Sequence, residues 1–204
     1  MFGFKKKTSP EPDKNLFMET LNRFIQLQLT LPVIDDPKQL IELLNILRNI
    51  VNTKTYSYQL DFFVLILIEI AHIYLYNEHK DIKEIKKYLD EIQLLGEKIY
   101  NEIGDPYYII VLSIQNHLFE FINENYKKAK VELEKFDKIS KPFKIPEDQN
   151  YVSQIMELQN NQNKLNEVKM IYRNRMLKLI SMRIGEILQG IKETAIIKQE
   201  LVQS

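Results

Sequence analysis

Residues 57–77 constrain this chain more than any other segment. From Leu60 through Phe62-Phe63-Val64-Leu65-Ile66-Leu67-Ile68 to Tyr76 the side chains are apolar or aromatic, broken only by Asp61, Glu69 and His72. A membrane span needs about 20 largely uncharged residues and basic flanks that set its orientation. Three polar interruptions and the lack of a basic flank argue against one. A helix apolar on most of its circumference is instead the central element of a helical core, and that is the expectation here.

A core helix of this kind needs other helices around it, and the rest of the sequence supplies them. The chain holds only 5 glycines and 7 prolines in 204 residues, whereas sheet-rich folds need many turns and more of both. Leu16, Phe17, Leu21, Phe24, Ile25 and Leu29 are spaced for one face of a helix from Lys14, capped by Asp13 and closed by Pro32. Asp35-Asp36-Pro37 is a start signal for a second helix to Val51, burying Leu40, Leu43, Leu44, Ile46, Leu47 and Ile50. Asp81 opens a helix to about Asn101, and Gly104-Asp105-Pro106 breaks the chain before helices from Tyr107 to Ile122 and on to Ile139.

Two prolines, Pro142 and Pro146, then mark the clearest boundary. From residue 148 to about 200 the sequence allows one continuous helix, or a hairpin broken at Gln159-Asn-Asn-Gln-Asn163. The expected organisation is a disordered basic tail (1–13), a helical-hairpin domain (14–139), a Pro-containing linker (140–147) and a long helix or hairpin (148–204). The fold class is therefore all-α: stacked antiparallel helical hairpins, as a repeat or as a plain bundle, followed by a long C-terminal helix.

The absence of cysteine excludes disulfides and thiolate metal sites. With no apolar N-terminal segment after Lys5-Lys6-Lys7, the expected location is cytoplasmic. Formal net charge is zero but unevenly placed: residues 1–124 hold 13 Lys/Arg against 18 Asp/Glu, and residues 125–204 hold 15 against 10. Either the basic half meets an acidic or nucleic-acid partner, or the two halves attract each other.

Segments 57–101 and 106–139 also look alike, each with an aromatic-rich first helix, a polar turn and a Lys/Glu-rich second helix. Asn125-Tyr126-Lys-Lys-Ala129 and Ile70-Ala71-His-Ile-Tyr74 resemble the turn-and-small-residue signature of tetratricopeptide repeats over roughly 57–139. The spacing is longer than the roughly 34-residue unit of that family. The resemblance implies stacked hairpins that bind a protein or peptide in a concave groove, without catalysis.

No enzyme motif is present: there is no Gly-x-Ser-x-Gly, no phosphate-cradling glycine loop and no cysteine nucleophile. Glu69-Ile-Ala-His72 has the Glu-x-x-His spacing of di-metal helical bundles, but such a site needs a second copy and none occurs. No metal or cofactor is expected. The candidate partner-binding residues are Tyr107, Tyr108 and His117 on the hairpins, with Arg173, Arg175, Lys178 and Arg183 on the last helix. Leu177, Ile180, Ile184, Ile187 and Ile191 step by three and four along that helix and form a candidate self-association seam. The expected function is a non-enzymatic scaffold or adaptor that binds a protein and can form a homo-oligomer. The alternative is a nucleic-acid-associated subunit using the basic stripe, and a third reading, ranked below it, is a helical metal or ligand carrier around Glu69 and His72.

Overall fold

A computed structural model describes the backbone of residues 14–30, 36–77, 81–143, 146–158 and 164–203, with side chains at 14–27, 36–77, 81–142, 151–158 and 164–193. Among the described residues there are eight α-helices and no strand. They are α1 (Lys14–Thr30), α2 (Lys38–Ile50), α3 (Tyr58–Tyr76), α4 (Ile82–Ile103), α5 (Tyr107–Ile122), α6 (Tyr126–Ser140), α7 (Pro146–Leu158) and α8 (Leu165–Gln203). The expected tail at 1–13, its Asp13 cap, and the Pro32 and Asp35 signals lie outside the described residues.

Local chemistry sets the helix ends. Ser57 Oγ accepts from the Leu60 amide, and Asp81 Oδ1 accepts from the amides of Lys83 and Glu84, each satisfying donors that an α-helix leaves open in its first turn. Asp36 and Asp105 do the same for the amides of Lys38 and Tyr107, just past Pro37 and Pro106. Gly104 ends α4 in the left-handed region at φ 74°, where its amide bonds the Tyr100 carbonyl.

Each helix packs on the one before it, and α8 then returns to lie on α3 and α5. Helix α3 is thus covered by α2, α4, α5 and α8, and every side chain from Leu60 to Leu75 is buried. The hydrophobic segment is the centre of the core. It is also the one described helix long and apolar enough to cross a membrane. Helix α8 runs antiparallel to α3: Tyr172 stacks beside His72 (ring centroids 5.3 Å apart), Arg183 meets Asp61, and Gly190 lies against Tyr58.

The last quarter of the chain is two helices rather than one. Tyr151 packs edge-on against Phe136 at 5.4 Å and lies near Tyr172. Tyr151 and Tyr172 each stand seven residues from the connection between Leu158 and Leu165, so α7 and α8 fold back on each other. The polar run 159–163, outside the described residues, has low helix propensity and no apolar side chain to bury.

Candidate functional site

Arg183 is the centre of the best-defined polar site. It sits on the buried face of α8, one turn from Ile187 and one from Ile180, and its guanidinium reaches the start of α3. Nη2 contacts Asp61 Oδ1 at 2.8 Å and Asp105 Oδ2 at 2.7 Å, while Nη1 donates to Glu186 at 2.7 Å. Nε donates to the Tyr108 hydroxyl at 3.3 Å. The guanidinium also lies over the rings of Tyr107 and Tyr108, 4.8 and 5.0 Å from their centroids, which adds cation–π attraction.

Asp61 completes the cluster. It accepts from the hydroxyls of Tyr56 and Tyr108, both at 2.8 Å, so its charge is balanced by one guanidinium and two phenols. Burial keeps those phenols protonated well above the ordinary tyrosine range, and so they stay donors. Burial also opposes the charge on Arg183, but Tyr108 and Asp61 hold it protonated above the usual arginine range. Tyr107 donates to the Leu179 carbonyl at 3.0 Å, pinning α5 to α8 a turn below.

A second polar row follows α3 inward. Gln115 Nε2 donates to the Ile68 carbonyl at 2.8 Å and lies beside Tyr172. His72 is stacked by Tyr76 and Tyr172; its burial and the Arg173 charge push its pKa down to about 3. His117 is buried with neither ring nitrogen hydrogen-bonded among the described residues, and burial pushes it down to about 4. Burial therefore favours the neutral form of both imidazoles. Glu69 and His72 are both buried on α3, and among the described residues no three His, Asp or Glu side chains group to hold a metal ion.

The seven candidate partner-binding residues divide sharply. Tyr108, His117, Arg175 and Arg183 are all under 7% exposed, and Tyr107 packs into the Arg183 cluster. A partner cannot reach these side chains in this fold. Tyr107 and Tyr108 meet Arg183 instead, so the hairpin candidates and a last-helix candidate are contacts of one another. Arg173 lies over the Tyr76 ring at 4.6 Å, joined by Lys169 at 5.2 Å. Lys178 stays exposed. In the candidate seam, Ile180 and Ile187 are buried, Ile184 and Ile191 pack on the same core, and Leu177 is only half-buried at its edge. The buried stripe runs Val168, Tyr172, Met176, Leu179, Ile180, Arg183, Ile187, a rotation away from the seam that a tally of aliphatic residues alone selects.

In the sequence Asp61 reads as an interruption of an apolar run and Asp105 as part of a chain break, and Tyr56 belongs to no motif. A signal was present: Asp61 and Arg183 each break an apolar stripe with opposite charge, and a charge turned into a core requires a partner.

On its outer side α8 carries an open groove of about 530 Å³. It is lined by Tyr58, Met182, Gly185, Glu186, Gln189, Gly190 and Glu193. A Cβ at Gly190 would overlap the Tyr58 ring, whereas one at Gly185 would meet open space. Comparison with family models, curated proteins and solved structures finds no match to this chain.

Proposed function

We propose that this protein is a non-enzymatic helical interaction module that binds a protein partner along the outer side of α8. The observation that carries this reading is the groove beside Tyr58 and Met182: it is open and its lining is mostly apolar. Met182 is 50% exposed. The inner side of the hairpins, where the tetratricopeptide likeness would put a peptide, is covered by α8 itself. That favours the outer side.

The basic-stripe alternative finds less support. Arg183 is consumed by three carboxylates. On α6, Lys130, Lys135 and Lys141 are within ion-pair distance of Glu134, Glu132 and Asp137. Each of these pairs sets a carboxylate beside the cation, which lowers the local positive potential a nucleic acid would meet.

A photo-crosslinking residue at Gln189 tests the reading in cells of the native host, with Leu94 (69% exposed, on α4) as the control position. The expected result is an adduct with another protein at Gln189 that Met182→Glu abolishes. No intermolecular adduct at Gln189, or equal adducts at Leu94, would refute it.

A further inference from the structure

The core is held by two kinds of contact. The buried side chains of α1, α2 and α4 are aliphatic or aromatic apart from Thr20, whose hydroxyl donates to the Leu16 carbonyl at 2.7 Å. Among the described residues, none of the buried side-chain polar atoms on those three helices lacks a hydrogen bond. The seam that α7 and α8 make with the rest is different. At one end Arg183 of α8 is buried against Asp61 of α3. At the other, Tyr172 of α8 is surrounded by His72 of α3, Gln115 of α5 and Tyr151 of α7. His72 Nδ1, Gln115 Oε1 and Tyr151 Oη are buried there with no hydrogen bond among the described residues.

Such a seam is specific but weakly held. A buried ion pair fixes register, yet desolvation offsets most of its attraction, so it adds little beyond what apolar contacts of the same size would give. Each buried polar group left without a partner weakens the seated state roughly tenfold relative to an apolar group of the same shape. Pro142 and Pro146 also interrupt the chain between α6 and α7, so no continuous helix ties the last two helices to the others. We propose that α7 and α8 form a strap that lifts from a folded α1–α6 body and reseats on it as one unit, at a lower cost than unfolding the whole chain.

The strap governs the groove. Of the residues that line it, Tyr58 belongs to α3, whereas Met182, Gly185, Glu186, Gln189, Gly190 and Glu193 belong to α8. The Tyr58 ring lies against Gly190, so lifting α8 takes the two parts of the lining away from each other. The groove is assembled only while α8 is seated. A partner bound across both parts binds the seated state alone and holds the strap down by mass action. The strap itself stands on the packing of the seam; its part as a regulator rests on reading the groove as a docking surface.

Because the chain has no cysteine, single cysteines in the full-length protein report exposure one site at a time. Val168→Cys and Ile187→Cys sit near opposite ends of the buried stripe of α8, and Leu47→Cys sits on α2. A thiol reagent should label the two α8 sites at one common rate, at least about tenfold faster than Leu47→Cys. Their labelling should also depend less on urea, since less surface is exposed. Ile92→Val, in the core face of α4, should speed Leu47→Cys about fivefold and leave both α8 sites unchanged. Tyr151→Phe, which removes an unpartnered hydroxyl, should slow both α8 sites roughly tenfold. If Ile92→Val speeds all three sites alike, the chain opens only as a whole and the strap does not exist. Fast labelling at Val168→Cys with Ile187→Cys as slow as Leu47→Cys is fraying of one helix end, and it overturns the proposal equally. Absence of a crosslink at Gln189 would sink the docking reading and the regulatory part with it, while the labelling pattern would still decide the strap.

Discussion

Replacing Arg183 by methionine should destabilise the fold more than any other single change to its charged residues. Methionine keeps much of the apolar volume of the arginine stem, so the loss is chiefly electrostatic. Its consequence is set by Asp61, whose side chain is 2% exposed, against 8% for Arg183. Breaking a buried pair from one side costs about 3–5 kcal/mol, because the remaining charge is stranded in low dielectric. Asp61 would keep its two phenolic donors at 2.8 Å, and Asp105, 24% exposed, would rehydrate. Those compensations put the expected loss at the lower end, about 3 kcal/mol. For a domain worth about 5–15 kcal/mol in total, that is a large fraction.

Urea unfolding followed by helical circular dichroism measures the loss. Arg23→Met is the matched control: Arg23 pairs with Glu42 at 3.0 Å, but the two side chains are 47% and 63% exposed, so that change should cost under ~1 kcal/mol. The double variant Asp61→Asn/Arg183→Met removes both charges and should recover at least ~1 kcal/mol against the sum of the single losses. If Arg183→Met costs no more than Arg23→Met, or if the cycle is additive, the pair is not the buried electrostatic contact described above.

Acid should unfold the protein early. His72 and His117, pushed down to about 3 and about 4 from 6.5, bind protons in the unfolded chain first, so their contribution is complete above about pH 6.5 and is lost as pH falls toward the folded values. Between pH 6.5 and 5 each site should lose about 2 kcal/mol, and His117→Leu should flatten the wild-type dependence of urea midpoint on pH by about half. Gly96→Ala should cost about 1–3 kcal/mol, since its Cβ would come 2.9 Å from Tyr108 Cβ where α4 crosses α5. Gly185→Ala meets nothing within 4 Å and should raise thermal stability by up to ~1 kcal/mol through helix propensity alone. A destabilised Gly185→Ala would mean that this backbone is packed rather than open.

Most of the helix plan was legible because it depends on local signals. Asp81 and Gly104 start and stop a helix through bonds to amides or carbonyls a few residues away, and the spacing of Leu40, Leu43, Leu44 and Leu47 names a buried face unaided. The site was not legible in the same way. Tyr108 and Arg183 are far apart in sequence, and aromatic and cationic residues on opposite halves of a chain read equally well as two docking surfaces or as one internal contact. The uneven charge of the halves is compatible with both, and only the return of α8 onto α3 and α5 makes Tyr108 and Arg183 an internal contact. The groove was invisible for a different reason. Two glycines inside a helix register as weak points by propensity, and their use emerges only once Tyr58 is known to lie over one of them.

The buried charges and the groove are then parts of one arrangement. Helix α8 presents aliphatic side chains along most of its inner stripe, and aliphatic contacts alone tolerate a slip of one turn along α3. The pair Asp61–Arg183 does not. A slip of one turn would bring Leu179 or Ile187 to Asp61 and leave both charges buried without each other, at the several-kcal/mol cost that stranded charges carry. With that register fixed, Gly190 meets Tyr58 two turns beyond Arg183, and the groove opens between Tyr58 and Met182. The ion pairs that bury Arg183 therefore also set the position of the groove on α8. An Arg183→Met variant that stays folded should alter Met182 and its neighbours before it alters the far end of α8 at Val168.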